Sequence, residues 1–447
     1  MKISVVRCVV FLLFVFGWLC FFETRVKAQG ESSASTQPEM VELRDADSRF
    51  KDRDIDGALK CLEDAAKKNT DLPPPEVMMA ERFLKVNSVP GYILWLEKAV
   101  VKHPTDPEAY VDKAELDLRN GQFTEAELLY QKATELMPNF AASKKRKDAL
   151  LPQIADGMAR ISEFREDWPT AQKRLEDWLK LEPKNAEALQ RLGRVLFKLK
   201  KPSEALGKLR EAKAAKSDIL TPEAQLAGLY REYGDKENAK KWTNLALKAA
   251  PNEELTWLFA AEMAMYLEQY DEAQSRAAKA MELNPSSLVA KLLRGNIALF
   301  QKDYLGAEKY FQAAHLQSPG TFAATNNLAI ALVEQKDESK KRKALEYAQD
   351  NWQRYRQSQQ YASEAASTLG WVLYKVDPRN IDNADRFLQA ALSSGNFNAD
   401  TAYYAAVVAA QRGRKEEAKR LLEAILKTTR PFTMKSEAKL LLEQLSR

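Results

Sequence analysis

Small residues recur along this chain at an interval of 34. Ala171, Ala205, Ala239, Ala273 and Ala307 form one series, and Ala212, Ala246, Ala280 and Ala314 form a second. A third series marks a proline slot at Pro183, Pro251, Pro285 and Pro319, with Ser217 in the same place. Three series sharing one period mean that a single supersecondary unit is used many times over, each copy hiding its apolar flank only against the next.

One period shows what the unit is. In residues 254–287 an apolar-periodic stretch ends near Leu267, Gln269-Tyr270-Asp271 reads as a turn, and a second helical stretch closes at Asn284-Pro285. Proline stops that helix because it lacks an N–H and disfavours helical geometry in the residue before it. The alanines have a packing reason: two helices cross closely only where side chains are small, so that large neighbours fill the gaps between them. With 447 residues, 45% of them hydrophobic and 29% charged, the chain has material for a large core and lacks the composition of a disordered segment.

The pattern resembles the tetratricopeptide repeat. That family places a bulky residue early in the first helix, Leu-Gly or two small residues after it, alanines in the second helix and proline at the end. Here Trp257, Leu192-Gly193, Leu226-Ala227, Ala260-Ala261, Gly295, Leu369-Gly370, Tyr130 and Phe311 take the corresponding places. The resemblance implies an all-α, right-handed solenoid of about eleven helix–turn–helix repeats. Spacing is unbroken over 152–321. Upstream, 41–151 holds looser repeats, marked by Ala58, Ala65, Ala80, Ala99, Ala126 and Ala133 and interrupted by the insertion FAASKKRKDAL. Downstream, 322–447 holds repeats stretched at ESKKRK and at Asp377-Pro378, then a last amphipathic segment from Phe432 that reads as a capping helix over the final hydrophobic face.

The N-terminus has a different character. A basic start, MKISVVR, precedes an apolar run from Cys8 to Phe22, and Val26 and Ala28 offer a small-residue exit, so 1–28 reads as a signal peptide and 29–40 as a disordered linker. The run of 15 residues is shorter than the roughly 20 needed to span a bilayer, which favours cleavage over an uncleaved inner-membrane anchor. Export to a periplasmic or extracellular place is the expectation. Cys61 is then the one cysteine left in the mature chain, so stability rests on packing rather than on disulfides. Formal charge is +5, of which the first 28 residues carry +3. A remainder so near neutrality argues against a nucleic-acid binder.

Chemistry-bearing residues are few. His103, His315 and Cys61 lie far apart in register, no two histidines or cysteines have metal-ligand spacing, and phosphate-loop and nucleophile-elbow motifs are missing. No enzyme activity, cofactor or metal is expected, and the two histidines read as cap or surface residues. Two basic tetrads, 144–147 and 340–343, sit in the insertions; they read either as solvated turns or as a footprint for an acidic partner or an anionic lipid surface.

The resemblance also implies where binding lies. In arrays of this family the first helix of each pair lines the inner face, and counting places Leu258, Glu262, Met265, Tyr266, Leu292, Asn296, Leu299, Phe300, Asn326, Ile330, Val333, Trp371, Tyr374 and Tyr403 there. As anchors for a protein or peptide partner, Trp371 and Tyr374 would be removable with little loss of stability. A subclass that holds a peptide's terminal carboxylate uses two asparagines among lysines and arginines. Asn296 and Asn327 match it, whereas Leu292, Glu364 and Thr368 stand where cations belong, so that mode is not expected. The expected function is a non-catalytic interaction scaffold in the cell envelope, with a structural part of an envelope polysaccharide or protein export machine as the alternative.

Overall fold

A computed structural model describes residues 40–395, 397–428 and 431–447. The expected signal peptide and all of the expected linker but Met40 lie outside the described residues. The described chain is an all-α solenoid of helical hairpins with no strand among these residues, and its contacts divide it after Leu229 into two compact units.

The N-terminal unit holds five hairpins: α1 (Val41–Lys51) with α2 (Ile55–Lys68), α3 (Pro75–Lys85) with α4 (Val89–Lys102), α5 (Glu108–Arg119) with α6 (Phe123–Leu136), α7 (Lys144–Phe164) with α8 (Trp168–Leu181), and α9 (Ala186–Lys198) with α10 (Pro202–Ala215). The division falls within α11 (Pro222–Glu232), inside the regularly spaced stretch and away from both insertions; α12 (Lys236–Ala249) follows. The C-terminal unit continues with α13 (Glu254–Tyr266) and α14 (Tyr270–Leu283), α15 (Leu288–Phe300) and α16 (Tyr304–Gln317), α17 (Phe322–Val333) and α18 (Glu338–Tyr355), α19 (Ala362–Val376) and α20 (Ile381–Ser393), α21 (Ala399–Gln411) and α22 (Lys415–Leu426), and a final helix, α23 (Lys435–Ser446).

The packing reason given for the small residues holds atom by atom. A Cβ on Gly157 would lie 2.2 Å from the Tyr130 ring, and one on Gly295 would lie 2.5 Å from Phe311. Tyr130 and Phe311 are both fully buried, so each glycine is the floor of a slot that a second-helix ring fills. The series alanines at 171, 205, 239, 273 and 307 are all fully buried as well.

A fourth periodic series is visible only in the backbone. Arg53, Asn87, Gly121, Glu166, Lys200, Gly234, Glu268 and Lys302 each have a positive φ at the turn between the two helices of a hairpin. Left-handed geometry costs a side-chain-bearing residue about 1 kcal/mol or more, and glycine avoids it. Lys200, at φ 62° and exposed, carries that cost without a side-chain hydrogen bond in return. Lys200→Gly is therefore expected to stabilise the protein by about 0.5–1 kcal/mol, read as a rise in the urea midpoint; a fall would mean the lysine side chain contributes more than its backbone costs.

Neither basic tetrad is a turn. Residues 144–147 are the first turn of α7, capped by Ser143, whose Oγ accepts from Arg146 N at 3.1 Å. Residues 340–343 lie at the start of α18, where Asp337 accepts from Ser339 N and Lys340 N. Lysine and arginine are good helix formers, and a cap placed just before them turned each insertion into a longer helix. Within the tetrads Arg146 is buried among acids, Lys340 pairs with Glu308 at 2.6 Å and Lys341 with Glu338 at 2.7 Å, while Lys144, Lys145, Arg342 and Lys343 remain exposed. No helix among the described residues is long and apolar enough to cross a membrane.

Candidate functional site

The first helices of successive hairpins stand side by side in each unit, and their shared face differs between the two. In the N-terminal unit, α5, α7 and α9 are laced by ion pairs. Arg160 reaches Glu115 at 3.0 Å and Asp156 at 2.7 Å, and Arg191 reaches Asp156 at 2.5 Å and Glu163 at 2.8 Å. Burial alone would raise Asp156, but Arg160 and Arg191 outweigh it and hold the carboxyl below its ordinary value. Beside this ladder Asp112 is pushed well above the usual carboxylate range, first by burial and then by Glu108, Glu81 and Glu115. The ladder is internally satisfied, so it offers an incoming ligand little that it does not already have.

In the C-terminal unit the corresponding face is amidic and aromatic. Asn327 Nδ2 donates to Asn296 Oδ1 at 2.9 Å, and Asn326 Nδ2 donates to Asn327 Oδ1 at 3.3 Å and to Glu364 Oε1 at 3.5 Å. The row crosses α15, α17 and α19, three consecutive first helices. Glu364 is exposed, yet protein surrounds it closely enough that burial pushes its carboxyl up to about 7. Glu262, on α13, is also pushed up to about 7 by burial, with Arg231 opposing the shift. Met265, Tyr266, Asn296, Phe300, Asn327 and Tyr374 are partly exposed along the same helices.

Eight of the fourteen expected inner-face residues are buried instead: Leu258, Leu292, Leu299, Asn326, Ile330, Val333, Trp371 and Tyr403. Trp371 is 4% exposed, stacked on Tyr404 with centroids 4.3 Å apart, and its Nε1 donates to Glu334 Oε1 at 2.6 Å. Leu258, Asn326 and Tyr403 are 4%, 2% and 9% exposed. In the last segment the apolar residues Met434 and Ala438 belong to one hydrophobic cluster with Leu292, Leu299, Ile330, Val333, Trp371 and Tyr403. α23 thus does more than shield the last hairpin. Lys302 Nζ donates to Thr433 O at 2.8 Å and pairs with Glu437 at 2.7 Å, Lys435 pairs with Glu268 at 2.6 Å, and Asp400 accepts from Met434 N at 3.0 Å. These contacts tie the start of α23 to the turns of the α13–α14 and α15–α16 hairpins. Glu334, Tyr404 and Lys302 were not marked by sequence spacing, because their roles depend on contacts made over long separations.

The remaining candidates serve local structure. His103 ends α4 and lies 3.0 Å from Glu76 Oε2, and His315 Nδ1 is 2.9 Å from Thr325 Oγ1 with its ring edge-on to Tyr347. Cys61 is a free, partly buried thiol. Among the described residues no group of three or more His, Cys, Asp or Glu is placed to hold a metal ion.

No curated protein matches the sequence. Solved structures similar to the chain include yeast Tom70, with 16% identity, 91% of this chain and 95% of that one covered, and a TM-score of 0.41. The APC/C hetero-tetramer Cut9–Hcn1 is similar at 13% identity, with 90% and 89% covered and a TM-score of 0.42. PilW, a type IV pilus biogenesis factor, is similar at 21% identity, with 50% and 97% covered and a TM-score of 0.38. The family model for the tetratricopeptide repeat matches residues 158–218 and 260–320. The hairpins in those two stretches, one in each unit, are thereby identified as tetratricopeptide repeats.

Proposed function

We propose that this chain is a non-catalytic interaction scaffold of the cell envelope, exported by its first 28 residues, which holds a protein or peptide partner on the first-helix face of its C-terminal unit. The observation that carries this reading is the contrast between the two faces. Carboxylate and guanidinium groups satisfy one another across α5, α7 and α9, whereas α13, α15 and α17 present Asn296, Asn327, Met265, Tyr266 and Phe300 partly open to solvent. Side-chain amides in a row suit the alternating donors and acceptors of a peptide main chain, and partly exposed aromatic and methionine side chains supply area beside them.

A photo-cross-linking amino acid placed at Tyr266 or Phe300, with controls at Leu305 and Leu316 on the exposed flank of α16, tests this in the native cell. Partner adducts are expected from 266 and 300 and not from 305 or 316. Equal labelling from both sets, or none from the first, removes the binding face. Amino-terminal sequencing of the protein from the envelope fraction should start near Gln29; an intact Met1 in the cytosol removes the envelope setting.

A further inference from the structure

A carboxylate, Glu364, ends the amide row, a second, Glu262, stands on the first helix before it, and neither forms an ion pair among the described residues. Glu364 receives a hydrogen bond from Asn326 and makes no ion pair among the described residues. Glu262, on α13, makes neither a hydrogen bond nor an ion pair among the described residues, although the charge of Arg231 acts on it. In the N-terminal unit Glu115, Asp156 and Glu163 each have an arginine within 3.0 Å, whereas Glu81 and Asp112 form no ion pair among the described residues. A second observation points the same way. Asn326 is 2% exposed, its Nδ2 is aimed at the Glu364 carboxyl, and its Oδ1 has no partner. A buried amide held in that state spends its donor on keeping the carboxyl oriented, and an unpaired acid so placed gains most from an arriving positive charge.

We propose that the first-helix face of the C-terminal unit takes an extended peptide bearing two cations, Lys or Arg side chains or a terminal amine, with Glu364 pairing with one and Glu262 with the other, while Asn296 and Asn327 hydrogen-bond the main chain between them. The inference rests on the binding face proposed above and adds the chemistry of its occupant. It is the reverse of carboxylate capture: the two amides are present and the charge beside them is negative. Spacing follows from the helices. Glu262 and Glu364 lie on α13 and α19, three helix-to-helix steps apart, or about 24–30 Å at the usual interaxial distance. An extended chain advances about 3.3 Å per residue, so the two cations fall about eight residues apart.

The test uses the full chain and a fluorescein-labelled nonapeptide with lysine at both ends and alanine and serine between, alongside versions ending in glutamine or in glutamate. Anisotropy should show binding of the dilysine peptide, about tenfold or more weaker binding of the diglutamine one, and none of the diglutamate one. Glu364→Gln and Glu262→Gln should each weaken dilysine binding about 5- to 20-fold, and Glu443→Gln, an exposed control on α23, should not. Neither key variant removes an ion pair, so folding is not at stake, and an unchanged melting curve verifies it. If the glutamine-ended peptide binds as tightly and both variants are silent, the cation preference is wrong and the binding face stands. If no peptide binds while the cross-links at 266 and 300 form, the occupant is of another class and this inference is overturned. If the cross-links are missing as well, both fall.

Discussion

Trp371→Ala is expected to lower the stability of the protein by about 3–5 kcal/mol, the range for removing a buried aromatic side chain. The indole is 4% exposed and stacked on Tyr404, and its Nε1–H satisfies Glu334, whose side chain is only 8% exposed. Truncation would open a cavity and also leave Lys375, at 2.9 Å, as the one remaining partner of that carboxylate among the described residues. Tyr374→Ala, at a partly exposed position, should cost far less. Urea titration of the two variants separates the roles. A loss below about 1 kcal/mol for Trp371→Ala, together with weaker cross-linking at 266 and 300, would return the indole to the binding face, where its spacing along the chain had placed it.

That difference shows what a periodic sequence discloses. Hairpin count, helix order and the pairing of small with large residues were legible, because each depends on near neighbours in the chain: Gly295 with Phe311 within one hairpin. The left-handed residue at most of the hairpin turns was not, because Arg, Asn, Glu, Lys and Gly all occupy it; helix packing on both sides imposes the geometry whatever the side chain. Counting also found the inner face but not its cover. Glu262 and Asn296 occupy one position of successive first helices and stay partly open, whereas Ile330 and Trp371 occupy the equivalent position and are 9% and 4% exposed. Part of the cluster that holds Ile330 and Trp371 lies far along the chain. Met434 and Ala438 join Ile330 and Trp371 in one cluster, and Lys302 holds Thr433 and Glu437 from more than a hundred residues away. Contacts of that length leave no trace in a 34-residue period. The tetrads failed for a related reason: a run of like charges says nothing of which member meets acids from another hairpin.

Arg146→Ala measures that last point, with an expected loss of about 3–5 kcal/mol. The guanidinium is 7% exposed, its Nη2 donates to both oxygens of Asp106 at 2.7 and 2.8 Å, its Nε donates to Glu108 at 2.6 Å, and its plane lies 5.0 Å from the Phe140 ring. Asp106 and Glu108, at the start of α5, are themselves only 14% and 17% exposed, so removing the cation strands two carboxylates in a place water reaches poorly. Burial already pushes Glu108 upward against the pull of Arg146, and without the arginine it would rise further and take up a proton more readily. Arg146→Lys should recover only part of the loss, since a compact ammonium cannot reach Asp106 and Glu108 at once with the separated donors of a planar guanidinium. Lys144→Ala with Lys145→Ala, in the same tetrad but exposed, should change stability by less than about 0.5 kcal/mol. Chemical denaturation of the three variants tests the assignment directly: if the double lysine variant were the costly one and Arg146→Ala were mild, the tetrad would be acting as a surface charge patch and not as the bolt that joins α7 to α5.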